Sequence, residues 1–115
     1  MAINDSKETK NAYMREYRKR NKELFKSYDL MKKFGITLEE YNEMLEIQDG
    51  ACAICGQPET RKDHRTGETR ALAVDHDHAT GRVRGLLCTD CNTGIGLLQD
   101  DIEILLNAVD YLKGA

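Results

Sequence analysis

The sequence predicts an α+β fold, with helices at both ends of the chain and a metal-braced hairpin between them. Three observations predict it. Two C-x-x-C pairs, Cys52/Cys55 and Cys88/Cys91, bracket the middle of the chain; two short apolar runs lie between them, joined through a glycine turn; and the flanks place apolar residues at helical rather than strand spacing. The 115 residues divide into an N-terminal basic helical region ending in a short acidic helix (1–50), a core (51–98) and a C-terminal helix (99–115).

Residues 6–33 contain no Gly or Pro and place Tyr13, Tyr17, Leu24, Tyr28 and Met31 at helical spacing, so one helix, or two meeting near Asn21, is expected. Thr37 with Glu40 forms a capping box that opens a helix at about 38–48, with Leu38, Tyr41, Leu45 and Ile47 inward and Gly50 closing it. Polar residues 57–69 read as a loop. Residues 71–75 and 82–87 are the two strands, and Gly81 takes a positive φ between them. A helix follows from about Thr89. Gly94 and Gly96 each weaken it by about 1 kcal/mol relative to Ala, which predicts close packing or the close approach of another backbone. Asp100 or Asp101 caps a last amphipathic helix whose apolar stripe, Ile102, Leu105, Leu106, Val109 and Leu112, packs on the domain or on a second copy.

Composition limits the function classes. The length suits one compact domain, and 40% apolar residues with a single proline exclude collagen-like or low-complexity character. The first residues lack the apolar run of a secretory signal, and no stretch approaches the roughly 18 apolar residues that span a bilayer. A cytosolic protein with no membrane partner is expected. The formal net charge of −3 argues, as a total, against a nucleic-acid binder. Its distribution argues the reverse: residues 1–35 hold ten Lys/Arg against five Asp/Glu, whereas 36–50 hold five acids and no base. The basic face of the first segment, Lys10, Arg15, Arg18, Lys19, Arg20, Lys22 and Lys26, is either solvated surface or a phosphate-binding face.

The four cysteines leave none over. Structural disulfides are rare in a reducing cytosol, and a redox C-x-x-C motif explains one pair but not two. A structural Zn²⁺ held by Cys52, Cys55, Cys88 and Cys91 explains both. Between the pairs lies Val74-Asp75-His76-Asp77-His78, and Asn92 directly follows the fourth cysteine. Period two places His76 and His78 on one side of the strand and the two aspartates on the other. Asp75 and Asn92 offer two oxygen ligands to a hard cation such as Mg²⁺, leaving positions for water and phosphate, while the adjacent imidazole can take a proton from water. A second zinc site or a solvated turn is the alternative.

These residues resemble the bacteriophage recombination endonuclease VII family, within the HNH, or ββα-metal (His-Me finger), nucleases. The resemblance runs through Cys52–Gly56, Val74–Cys88 and Cys91–Gly94, and less specifically through the preceding basic helix, Tyr28-Asp-Leu and Phe34-Gly-Ile-Thr. It implies a zinc-braced ββα-metal core acting as a DNA endonuclease in the cytosol of a phage host. Asp75 and Asn92 would hold a catalytic Mg²⁺ or Mn²⁺, His76 would be the general base, and His78 would contact the scissile phosphate. Two departures bear on this. Val83 stands where many HNH nucleases carry an Asn that orients the base. Only 24 residues follow Cys91, where junction-resolving members have a substantial dimerisation region. DNA cleavage is therefore the expected activity, with Holliday-junction resolution or a non-catalytic zinc DNA-binding module as alternatives, and a homodimer as a further partner. DNA contacts are expected from Arg15, Arg18, Lys19, Arg20, Lys22, Lys26, Arg82 and Arg84, through phosphates and without sequence specificity. A tetrathiolate zinc contributes about −2 and a catalytic cation about +2 at the phosphate, so the acidic blocks 36–50 and 99–115 should face away from DNA.

Overall fold

A computed structural model describes residues 7–114; the side chains of residues 7–10 and of Arg18 lie outside the described set, so Lys10 of the basic face and the expected contact Arg18 fall outside it. The element order is α1 (Lys7–Arg20), α2 (Lys22–Phe34), α3 (Leu38–Ile47), β1 (Ala73–His76), β2 (Val83–Leu87), α4 (Thr89–Leu97) and α5 (Ile102–Leu112). Among the described residues this is an α+β chain of five helices and one two-stranded sheet. It divides into two compact units after Tyr41, inside α3.

In the first unit the helical run is broken at Asn21, whose side-chain amide donates to the Tyr17 carbonyl at 2.8 Å. The residues whose spacing predicted helix lie on the surface: Tyr13, Leu24, Tyr28 and Met31 are all exposed. Its aromatic members pair along the helices, Tyr13 stacking on Tyr17 and Tyr17 meeting Phe25 edge-on. The buried residues are Leu30, Ile36 and Tyr41, next to the left-handed cap at Gly35 where the chain leaves α2. The capping box forms as expected, with Thr37 N–H donating to Glu40 Oε1 and Glu40 N–H to Thr37 Oγ1. Ile47, expected inward, is exposed because α3 ends there, in a turn through Asp49 and Gly50, both at positive φ.

The second unit is built around the hairpin. β1 and β2 pair antiparallel, with Ala73 opposite Leu87, Val74 opposite Leu86 and Asp75 opposite Gly85. The register then shifts so that His76 faces Val83, leaving Arg84 as the extra residue of a β-bulge. Leu72, Val74, Leu86, Leu87, Cys52 and Cys88 form the core. Gln48 acts as one more rung on the outer edge of β2: its Nε2 donates to the carbonyls of Leu86 and Ala51, and its Oε1 accepts from Leu86 N–H. Gly85 leaves room for that carboxamide, since a Cβ there would sit 3.4 Å from Gln48 Oε1.

Within and just beyond the loop expected at 57–69, residues 61–70 close into a small hairpin on one bridge. Lys62 bridges Thr69, Arg70 N–H donates to the Arg61 carbonyl and Asp63 N–H to the Glu68 carbonyl. Gly94 and Gly96 do not serve internal packing, because an added Cβ at either would meet nothing within 4 Å. Asp101, not Asp100, caps α5, accepting from Glu103 and Ile104 N–H. The apolar face of α5 does not pack on the domain: Ile102, Leu106, Val109 and Leu112 are exposed.

Candidate functional site

The two C-x-x-C turns bring four sulfurs to one point. All four lie within 4.8 Å of one another, and Cys55 Sγ and Cys88 Sγ are 3.8 Å apart. Four thiolates at about 2.3 Å around a tetrahedral ion are separated by about 3.8 Å, so the cluster can hold a metal ion with the dimensions zinc requires. The local backbone prepares it, since Ile54 N–H points at Cys52 Sγ and Cys91 N–H at Cys88 Sγ. Burial raises the Cys52 pKa, but amide N–H groups of Cys55, Cys88 and Ile54 outweigh it and bring the thiol down to about 6. Burial and the neighbouring sulfurs push Cys91 up to about 12.

Glu59 fastens the first cysteine turn to the start of α4. Its Oε1 accepts from both Thr89 N–H and Thr89 Oγ, and its Oε2 from Thr60 and Arg61 N–H. Burial raises its pKa, yet these hydrogen bonds prevail and hold it below the usual carboxylate range. Neither this cap nor the Gln48 rung is signalled in the sequence, because both link residues about thirty or more positions apart.

At the open end of the hairpin, His76 closes β1 and His78 lies two residues on, in the turn. Their rings sit edge to face with centroids 4.7 Å apart, so the alternation expected for the histidines survives past the end of the strand. Asp77 builds the turn, accepting from Ala79 and Thr80 N–H, which lowers its pKa; Asp77 N–H donates to the Arg82 carbonyl, and Gly81 takes a φ of 76°. Asn92 lies on α4, which packs against β1.

Arg84 takes a different place from the one expected. Its guanidinium grips Asp75 through two hydrogen bonds, Nε to Oδ2 at 2.7 Å and Nη2 to Oδ1 at 3.0 Å, and Nη2 also reaches Asp100 Oδ2 at 3.2 Å. The bulge frees Arg84 for this. Hydrogen bonds donated to Asp75 are the main reason the Arg84 pKa lies above the ordinary arginine value. Asp100 also lies 3.8 Å from His78 Nε2. It is held there by a left-handed backbone at Gln99 and Asp100 (φ 64° and 54°), a conformation uncommon outside glycine. The acidic C-terminal block thus does not stay wholly away from the histidines, since its first acid joins them. Asp75 offers the oxygens a hard divalent cation favours, and with 12% of its side chain exposed it already draws one positive charge, that of Arg84. Arg84 is thus the cation that holds the Asp75 carboxylate.

Residues 27–114 match the recombination endonuclease VII family. The chain belongs to that family. Among relatives, the Gene 59 protein of Mycobacterium phage D29 is 49% identical over 81 residues, covering 70% of this chain and 45% of that protein. The Gene 59 protein of Mycobacterium phage L5 is 45% identical over 80 residues, covering 69% and 44%. The chain therefore spans about half the length of these curated relatives. The endonuclease VII match covers both cysteine pairs, the histidine hairpin and Asn92, and leaves out most of the N-terminal basic helices.

Of the expected DNA contacts, Arg15, Lys19, Arg20, Lys22 and Arg82 lie exposed. Lys26 is half-buried, its Nζ 4.4 Å from the centre of the Tyr41 ring, and burial together with Lys22 lowers its pKa. No described helix is long and apolar enough to cross a membrane.

Proposed function

We propose that this chain is a metal-dependent DNA endonuclease of the HNH, ββα-metal type, hydrolysing phosphodiester bonds in the host cell of a phage. The observation that carries the reading is the pair of neighbouring imidazoles at the end of the hairpin, beside Asp75 and next to a helix bearing Asn92, in a chain of the endonuclease VII family. His76 takes the proton of the attacking water on an imidazole nitrogen. The water oxygen bonds to phosphorus and the bond to the 3′-oxygen breaks, leaving a 5′-phosphate and a 3′-hydroxyl that gains its proton from solvent. His78 contacts the phosphate. Asp75 and Asn92 would hold a Mg²⁺ or Mn²⁺ ion, which would supply charge neutralisation at the phosphate. Zn²⁺ on Cys52, Cys55, Cys88 and Cys91 is structural and joins the first cysteine turn to α4.

Arg84 is a positioning residue in this reading, holding Asp75 against Asp100 until a cation takes its place. DNA phosphates are met by Arg15, Lys19, Arg20, Lys22 and Arg82. The exposed apolar face of α5 supports a homodimer, which would place two active sites on one substrate. The family's recombination role favours branched DNA as a second substrate reading.

Nicking of supercoiled plasmid with Mg²⁺ or Mn²⁺ tests the proposal. His76→Ala should lose at least about a hundredfold in rate while still binding DNA. Wild-type nicking by that variant removes His76 from the mechanism, and a chain that cuts no DNA form with either metal is a zinc binding module instead. Equal rates on a four-way junction and a linear duplex of the same length exclude branch specificity.

A further inference from the structure

Away from the histidines, the 61–70 hairpin and α4 enclose a cleft of about 510 Å³ lined by Arg61, Lys62, Arg70, Thr93, Gly94 and Leu97, with Thr89 and Asp90 at its edge. Three cations face a single carboxylate, Asp90, which pairs with Arg61 through Nε at 2.9 Å. The pairing of the small hairpin makes Arg61 and Arg70 cross-strand neighbours, Arg70 N–H donating to the Arg61 carbonyl, and Lys62 lines the cleft from the adjoining rung. On α4, positions 89, 90, 93, 94 and 97 form one stripe at helical spacing, and Asn92 lies on the adjoining face.

Gly94 gives an independent indication. A glycine inside a helix is unfavourable, and here no neighbour in the chain requires it, because a Cβ would meet nothing within 4 Å. Gly94 lines the cleft and leaves that part of its α4 wall without a side chain. A bare helix wall beside converging Arg and Lys side chains suits a polyanionic backbone that approaches closely.

We infer that this cleft binds the phosphate backbone of duplex DNA, as a contact surface separate from the basic N-terminal helices. The inference rests on the endonuclease reading for its choice of ligand. It also gives α4 two tasks, one face toward the catalytic residues and the next toward the bound strand.

The test uses the full zinc-loaded chain and a fluorescently labelled 30-base-pair duplex, without added divalent metal, titrated between 50 and 200 mM salt. Wild-type nicking of plasmid with Mg²⁺ is measured in parallel. Lys62→Ala/Arg70→Ala should weaken binding about tenfold at low salt and flatten the slope of log K against log salt by about 0.9 for each phosphate no longer neutralised. Gly94→Leu should weaken binding with the slope nearly unchanged and a melting temperature at or above wild type, which separates an obstructed cleft from a damaged fold. Both variants binding like wild type, in a chain that nicks DNA, overturns the cleft and leaves the nuclease reading standing. Weakened binding by both variants in a wild-type chain that binds but never nicks sustains the cleft and overturns the nuclease reading. A wild-type chain that does not bind the duplex at 50 mM salt overturns the cleft proposal and assigns the three cations to an acidic protein surface.

Discussion

The four-cysteine cluster and the Asp75 end of the hairpin are both places where side chains converge to hold positive charge, and they are built in opposite ways. The cluster is local and cysteine-only: two short turns aim backbone N–H groups at the sulfurs, and all four sulfurs already lie within 4.8 Å of one another. The Asp75 end is open, and its carboxylate is held by a side chain of the protein, Arg84, which also spans to Asp100. The first arrangement suits an ion that stays. The second suits a charge that is exchanged, because a guanidinium bound by hydrogen bonds can be displaced without unfolding the strands.

The largest effect separating the two regions should come from the cysteines. Cys88→Ser, or chelation of the wild-type chain, should unfold the second unit, since a small core depends on its metal for folding free energy; circular dichroism and one zinc per chain by elemental analysis check it. A melting temperature indifferent to chelator would mean the cluster does not brace the fold. Next in size is Gln48→Ala, which strands the buried Leu86 N–H while the Leu86 carbonyl keeps the Ala53 N–H, and should cost about 1–3 kcal/mol in urea unfolding. A cost near zero would show that β2 does not need this rung.

Arg84→Ala sharpens the comparison from the other side. With Asp75 and Asp100 left uncompensated, Mn²⁺ should bind about tenfold more tightly, a difference of about 1.4 kcal/mol readable by calorimetry. Unchanged Mn²⁺ affinity would show that Arg84 does not compete for Asp75. The smallest effect belongs to Glu59→Gln, about 1 kcal/mol or less at neutral pH, because Oε1 can still accept from Thr89. The folded pKa of Glu59 is lowered, so its contribution is complete above the unfolded value near 4.3 and fades as pH falls through the folded one. The stability gap between wild type and variant, measured with zinc in excess, should therefore close in acid. A gap independent of pH would count against the ionised cap.

Much of the candidate site was legible because its chemistry is local. Two C-x-x-C turns each present a pair of sulfurs whatever the rest of the chain does, Thr37 and Glu40 satisfy each other across one helical turn, and the turn at Gly81 needs a residue that accepts positive φ. The two histidine rings meet although His78 lies beyond the strand, in the turn that Asp77 builds. The apolar stripes were less well placed. Spacing identifies helices, but it does not say which stripe finds a partner, and the tyrosine seam of α1 and α2 and the apolar face of α5 both lie exposed.

The amino-acid pattern alone specified the α+β order of elements, the two cysteine turns with the even sulfur count that one ion satisfies, the hairpin with its two histidines and the helix carrying Asn92, because each element follows from residues a few positions apart. Only the tertiary structure decided that Arg84 belongs to Asp75 and Asp100, that Glu59 and Gln48 join distant segments, and that Arg61, Lys62 and Arg70 face α4 across a cleft. The physical reason is register. One extra residue in β2 redirects Arg84, and the pairing of a short polar hairpin makes Arg61 and Arg70 cross-strand neighbours; neither is visible in composition or periodicity, because both depend on which backbone groups of separate segments satisfy one another.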